Sequence, residues 1–291
     1  MKFSGSIVAL ITPFYQGKVD ITALQALVDW HCQQGTQAIV VCGSTGEANL
    51  LTPCEREEVI QAAIKVAAGR IPIIVGCGAP STHEGISMVQ QAEEWGAQAV
   101  LVVSPYYVKP TQVGLYQHFY LIHESTNLPI ILYNNPGRSV VDLSIDLICQ
   151  LAKLPKIAAL KDSTLDLSRT TVLRNQLADR LSLLSGDDPT TAAYLAQGGD
   201  GCISVTANVA PALCQQLIQA WVKQDVALFQ SLNQKLMPLH LALVSETNPS
   251  PVKYALSALG KSHNELRLPL MPATTETRMK VDQSLQTLGL I

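Results

Sequence analysis

The sequence predicts an α/β fold, a (β/α)8 TIM barrel over residues 1–224 followed by a C-terminal helical extension over residues 225–291. Three observations carry this expectation. Short apolar runs alternate with longer amphipathic stretches, and there are eight such units, the number that closes a β/α barrel. Several of the runs are continuously apolar rather than alternating, as strands covered on both faces of a parallel sheet are. After about Lys223 the strand pattern stops and only helical periodicity remains. An open doubly wound sheet is the alternative, and the count of units favours the barrel.

The expected strands are Ser6–Ile11, Ala38–Val41, Pro72–Val75, Ala99–Val103, Pro129–Tyr133, Ile157–Leu160, Ser182–Leu184 and Gly201–Val205. Between them, Ile21, Leu24, Leu27 and Val28 recur at helical spacing, as do Val59, Ala63 and Val66, and later Leu213, Leu217 and Trp221. Pro53 and Pro211 stand where a first helical turn tolerates proline. Gly35, Gly96 and Gly198 follow helical runs, where a left-handed closing residue is wanted. Helices are expected at Val226–Leu236, Pro251–Leu259 and Thr275–Leu288.

Composition narrows the function classes. With 291 residues, the chain has room for one barrel of about 250 residues and a short extension. Only 15% of residues are charged and 47% are hydrophobic, which leaves apolar surface for subunit contacts beyond the core. The net charge is −3 and no Lys/Arg run occurs, which argues against a nucleic-acid partner. No apolar run reaches the roughly 18 residues of a membrane span, and the N-terminus lacks a secretory pattern. The seven cysteines, an odd number without a CxxC pair, sit mostly in apolar company. They are expected to be reduced, buried thiols of a cytoplasmic protein.

In a β/α barrel the chemistry sits at the C-terminal ends of the strands. Lys161 ends the apolar run Ile157–Leu160. Desolvation at such a position favours the neutral amine, the form that attacks a carbonyl. A lysine also ends strands simply by reaching water. Tyr133 closes the preceding run, where a phenol can pass protons or serve only as a core tyrosine with a satisfied hydroxyl. Gly43-Ser44-Thr45-Gly46-Glu47 follows a strand, and its N–H groups and hydroxyls suit a carboxylate. A tight turn without ligand is the competing reading. Arg138, after Tyr133, offers a fork for a second carboxylate or is a surface arginine.

Other features are set aside. Gly76-Cys77-Gly78 begins like a dinucleotide loop, but Ser81 holds the third glycine position. His118 and His123 lack the HExxH spacing of a zinc site. Asp187-Asp188 is expected to cap a helix beginning at Pro189.

Taken together, Gly43–Glu47, Pro105-Tyr106-Tyr107, Tyr133–Arg138, Lys161, Ser185-Gly186-Asp187-Asp188 and Gly201–Asn208 closely resemble the dihydrodipicolinate synthases. These belong to the pyruvate-dependent class I aldolases, which include N-acetylneuraminate lyase. The similarity runs over essentially the whole chain. It implies that Lys161 forms a Schiff base with pyruvate and that Tyr133 relays protons. Ser44 would link Tyr133 to Tyr107, and Tyr107 would cross a subunit interface. Thr45 would hold the pyruvate carboxylate, Gly186 and Ile203 would line the pocket with backbone groups, and Arg138 would receive the carboxylate of L-aspartate 4-semialdehyde. No metal or organic cofactor is implied, and the expected assembly is a homotetramer built from two tight dimers. The alternative within the family is a sugar-acid aldolase of the N-acetylneuraminate lyase kind; Arg138 favours the synthase. Asn135, Gly137 and Ser139 are not the commonest family choices.

The resemblance also implies a degenerate lysine-binding regulatory site at Asn49, Pro53, Arg56, Pro80, Glu84 and Tyr106. Glu84 and Tyr106 are retained, whereas Pro53, Arg56 and Pro80 depart from the lysine-inhibited type. Weak or absent feedback by lysine is the expectation.

Overall fold

The computed structural model describes residues 2–291. It contains ten strands: β1 (Gly5–Ala9), β2 (Phe14–Tyr15), β3 (Lys18–Val19), β4 (Ala38–Val41), β5 (Ile73–Gly76), β6 (Ala99–Val103), β7 (Ile130–Asn134), β8 (Ile157–Asp162), β9 (Ser182–Ser185) and β10 (Gly201–Ser204). Eight of them form a closed parallel barrel in the order β1-β10-β9-β8-β7-β6-β5-β4, while β2 and β3 make a separate antiparallel hairpin. The eight barrel strands are those the apolar runs predict, with ends shifted by up to two residues. Their residues are buried almost without exception, which is why these runs are apolar without alternation. The hairpin, four residues in two short pieces, has no periodicity to reveal it.

The chain forms two compact units. One comprises residues 2–4 and 74–203, the other residues 5–73 and 204–291. In the first, β5 through β10 pair in parallel register, for example Val103 with Tyr133 and Tyr133 with Lys161. The ladder continues past the strand ends, where the Ser163 N–H donates to the Asn134 carbonyl at 2.9 Å.

In the second unit, β1 pairs with β4. Helix Ile21–Gln33 buries Leu24, Leu27, Val28 and His31, the i, i+3, i+4, i+7 stripe of a core-facing helix. Each buried aliphatic side chain there contributes about 1.5–3 kcal/mol. Helix Pro53–Ala67 opens with a capping box. The Thr52 hydroxyl accepts from the Glu55 N–H, and the Glu55 carboxylate accepts from the Thr52 N–H. Glu55 also receives both terminal nitrogens of Arg267. The hydrogen bonds from Arg267 outweigh burial and hold the Glu55 carboxyl at about 2.

The last helices are Val226–Leu243, Ser250–Ala258 and Thr275–Leu288. The first runs seven residues beyond the Leu236 end expected from sequence, passing through Pro238. Proline removes one hydrogen bond from a helix interior. Here Leu236, Leu239 and Leu243 lie fully buried on either side of it, and their packing carries the helix through. No helix among the described residues is long and apolar enough to cross a membrane. The seven cysteines form no disulfide among the described residues; Cys42, Cys77, Cys202 and Cys214 are buried, whereas Cys54 is exposed. Burial of every thiol is therefore not what the fold delivers: Cys54 follows Pro53 in the solvent-facing first turn of its helix.

Candidate active site

Lys161 is the penultimate residue of β8 and is 5% exposed. It belongs to the strand itself, which extends two residues past the predicted end. Its register partner on β7 is Tyr133, so both side chains leave the sheet on the same face. The Lys161 Nζ lies 4.2 Å from the centre of the Tyr133 ring, within reach of a favourable cation–π contact.

A local irregularity makes this pairing. Ile130 pairs with Ile157, but Ile131 pairs with Ala159, which leaves Ala158 as an extra residue. Without that extra residue Tyr133 would pair with Leu160, and Lys161 would point the other way.

Tyr133 is buried, and its Oη accepts a 2.7 Å hydrogen bond from the Asn135 side-chain amide. Burial pushes the phenol pKa up. Opposing effects, led by the Lys161 charge and the Asn135 hydrogen bond, outweigh it and leave the phenol below its ordinary value.

Gly186, just after β9, has no room for a side chain. A Cβ there would lie 2.0 Å from the Ser163 Oγ and 3.0 Å from the Lys161 Cε. The alkyl stem of Lys161 thus runs against the Gly186 backbone, whose N–H donates to the Asp162 carbonyl at 2.8 Å. Gly186→Ala is expected to push the amine out of place and slow the imine formation that the resemblance implies for Lys161 on the order of 10²-fold, the usual cost of misplacing a reacting group by about an ångström. Trapping rates on folded protein check it; a wild-type rate would mean that the stem relaxes freely.

The next residues on the two strands, Asn134 and Asp162, also pair in register and leave the sheet on the opposite face. There they anchor the loop after β7. The Asn134 amide donates to Asp142 at 2.7 Å and its carbonyl oxygen accepts from the Leu143 N–H. Arg169 bridges Asp162 and Asp142 at 3.2 Å each and donates to the Leu143 carbonyl at 2.6 Å. This anchored loop carries the one-turn helix Pro136–Ser139 and, exposed on it, Arg138. Ile203, on β10, is 1% exposed.

Tyr107 follows β6 and is 91% exposed with φ 73°. That is a costly backbone region for a bulky residue. Its neighbour Tyr106 is half-buried, and the Tyr106 carbonyl accepts from the Val108 N–H at 2.9 Å.

In the second unit the Gly43–Glu47 loop follows β4. Ser44 is exposed, while Thr45 is buried with its hydroxyl accepting from the Asn248 amide at 2.9 Å. The loop is tightened by the Gly46 N–H on the Gly43 carbonyl and by the Thr12 hydroxyl on the Gly46 carbonyl. Glu47 takes a left-handed φ of 54°. Its carboxylate is completely buried against the Lys253 ammonium and accepts from the Arg267 N–H at 3.1 Å. Lys253 also lies 4.0 Å over the Phe14 ring and donates to the Glu265 carbonyl at 2.8 Å. Burial draws the Lys253 ammonium down to about 8, with Glu47 acting in the opposite direction.

Sequence reasoning missed this buried pair. Glu47 was legible only as the end of a loop. The available signal was a single lysine inside the apolar stretch Pro251–Leu256.

The residues of the expected regulatory site differ in exposure. Asn49, Pro53 and Glu84 are exposed, Pro80 and Tyr106 are half-buried, and Arg56 is only 6% exposed. The features set aside find structural explanations. His118 bonds Thr82 at 3.0 Å, and burial holds its imidazole at about 4. His123 sits beside Glu124 at 2.9 Å. Gly78 has Val103 against it where a Cβ would be. Asp187 accepts from the Thr190 N–H and hydroxyl, but the helix begins at Thr191, not at Pro189. Asp187 instead closes the turn that precedes the helix.

A (β/α)8 barrel with a buried strand-end lysine packed on a phenol has the make-up of a Schiff-base-forming barrel enzyme. The chain belongs to the dihydrodipicolinate synthetase family, whose sequence profile matches residues 2–288. It is 50% identical to a 4-hydroxy-tetrahydrodipicolinate synthase of Rhodospirillum centenum, over 99% of each chain. Its fold superposes on a dihydrodipicolinate synthase from Aquifex aeolicus with a TM-score of 0.97 and 44% identity, covering 99% of both. A chloride-inhibited dihydrodipicolinate synthase from Acinetobacter baumannii, complexed with pyruvate, matches with a TM-score of 0.96 and 45% identity, again over 99% of both.

Proposed function

We propose that this chain condenses pyruvate with L-aspartate 4-semialdehyde through an imine on Lys161, as a 4-hydroxy-tetrahydrodipicolinate synthase activity requires. The carrying observation is the buried Lys161 amine held over the Tyr133 ring at 4.2 Å. The amine adds to the pyruvate ketone, and loss of water leaves the imine. The imine draws electrons from the methyl group, which loses a proton to become an enamine. The enamine carbon attacks the aldehyde, whose oxygen takes up a proton. The amino group of the second substrate then displaces Lys161 from the imine carbon and closes the ring. Tyr133 is the proton donor and acceptor beside the reacting carbon. Thr45 takes the pyruvate carboxylate, with Gly186 and Ile203 lining the pocket. Arg138, exposed on its anchored loop, receives the carboxylate of the semialdehyde.

Ser44 passes protons between Tyr133 and Tyr107. An almost wholly exposed aromatic in a strained backbone conformation suits a residue covered by a neighbouring subunit. On that reading Tyr107 comes from the partner in a tight dimer, two dimers make a homotetramer, and the enzyme works in the cytoplasm without a metal or organic cofactor. The full-length relatives named as synthases favour this over a sugar-acid aldolase.

Borohydride trapping with pyruvate, followed by a coupled assay with aspartate semialdehyde or N-acetylneuraminate, tests the reading. A pyruvyl adduct on the Lys161 peptide and turnover of the semialdehyde are expected. A folded protein without adduct, or one turning over only the sugar acid, overturns it.

Asn49, Pro53, Arg56, Pro80, Glu84 and Tyr106 form a degenerate regulatory site on this reading. On that reading the Arg56 guanidinium adds a cation near the ammonium of a bound lysine. Steady-state rates should hardly change with added lysine; strong inhibition at physiological concentrations would refute the assignment.

A further inference from the structure

The loop after β7 places a polar side chain on the phenol that the mechanism does not yet use. Asn135 opens the helix Pro136–Ser139, and asparagine is among the best residues for capping such a start. Its side chain makes no capping bond. The backbone nonetheless fixes the residue. Its carbonyl accepts from the Arg138 N–H at 3.0 Å and from the Ser139 N–H and hydroxyl at 2.9 Å each. From this fixed base the side-chain amide turns back across two residues and donates to the Tyr133 Oη at 2.7 Å.

We propose that Asn135 is a positioning residue for the Tyr133 phenol. Its amide holds one lone pair of the phenol oxygen, so that the phenol proton is directed along the remaining path. This assignment rests on the proposed role of Tyr133 and deepens it.

The chemistry follows from hydrogen-bond inventory. A phenol oxygen has two lone pairs and one proton. With one lone pair taken by a fixed N–H, the hydroxyl proton cannot turn toward the loop and is left to the side of Lys161 and Ser163, the other neighbours that act on this phenol. A donor also favours phenolate over phenol, because a hydrogen bond to the charged form stabilises it. The charged groups that act on this phenol are Lys161 from β8 and Arg138 from the short helix. Both lower its pKa, in the same direction as the amide. The loop that supplies Asn135 is itself anchored by hydrogen bonds among Asn134, Asp142, Asp162 and Arg169. The donor is thus in place before substrate arrives, which is the condition for preorganised catalysis.

Two readouts on the full chain separate this inference from the proposed function. The first needs no substrate. Ultraviolet difference titration of wild type against Tyr133→Phe isolates the Tyr133 phenol, and the same pair is repeated on an Asn135→Leu background. Leucine has similar size and cannot donate. The phenol is expected to titrate higher in Asn135→Leu, on the order of half a unit to one unit, the worth of one ordinary hydrogen bond.

The second readout is the pH dependence of borohydride-trapped pyruvate adduct formation. In Asn135→Leu the rate at neutral pH should fall about three- to tenfold, and the limb lost in Tyr133→Phe should move to higher pH. Asn135→Asp keeps the shape of the native residue, covers the case in which the leucine variant does not fold, and replaces the donor by an anion. It should shift the phenol in the same direction and further. An unmoved phenol titration in the folded variants overturns the inference whatever the adduct experiment gives. A shifted titration with no adduct in wild type overturns the function and leaves the Asn135–Tyr133 contact standing.

Discussion

Lys161→Met is expected to form no borohydride-stable pyruvate adduct and to lose turnover by on the order of 10³-fold or more, as removal of a covalent nucleophile does. Methionine keeps an unbranched apolar stem in a site that is 5% exposed and packed beside Leu184 and Tyr133 in register. It removes the amine and no packing volume of note, so the folded state should persist. The measurement is the mass of the trapped peptide together with thermal unfolding.

The informative competitor is Lys253, the other buried lysine among the described residues. It is completely buried, enclosed by Glu47, the Glu265 carbonyl and the Phe14 ring. An adduct on the Lys253 peptide, or turnover by Lys161→Met, would defeat the assignment.

Lys253→Met should be the most destabilising of the substitutions considered, at about 3–5 kcal/mol, because it strands a buried carboxylate without its cation. Glu47→Gln should cost less. Burial already holds Lys253 at about 8, and without Glu47 the amine can shed its proton and remain buried neutral. Replacing both by apolar residues should recover most of the loss, since the pair exchanges two desolvated charges for packing.

The pair has a pH signature as well. The folded value of about 8 lies below the ordinary 10.5, so the unfolded chain binds this proton more tightly than the folded one. The contribution of this group to stability therefore rises with pH between about 8 and 10.5, and Lys253→Met should remove that slope. Denaturant titrations at pH values across this window measure it. Equal stability of the single and double variants would mean that the pair is not coupled as its geometry requires.

The consequence reaches the loop that carries Thr45. Glu47 is held by Lys253 and the Arg267 backbone, and Thr45 by Asn248. These three partners come from the C-terminal part of the chain. The helices and segments beyond Lys223 thus hold the Gly43–Glu47 loop in place within their own unit. Their helical periodicity was legible, but their attachment to Gly43–Glu47 was not, because nothing local marks which of several lysines meets a carboxylate some two hundred positions away.

The sequence by itself determined the alternation of eight apolar runs with helices, and hence the barrel, because burial on both faces leaves its mark residue by residue. It also put Lys161 and Tyr133 at the ends of adjacent runs and marked the Ser44-Thr45 loop and Arg138 as residues following strands. Only the tertiary structure decided that Tyr133 and Lys161 share a face. That depends on the extra residue Ala158, and a one-residue change of register leaves hydrophobic periodicity intact while reversing the direction of every side chain beyond it. It decided likewise that Asn135 gives up a helix cap for a phenol, and that Lys253 answers Glu47. In each case the partner is chosen by contacts distant in sequence or by backbone register, and neither is written in the local pattern.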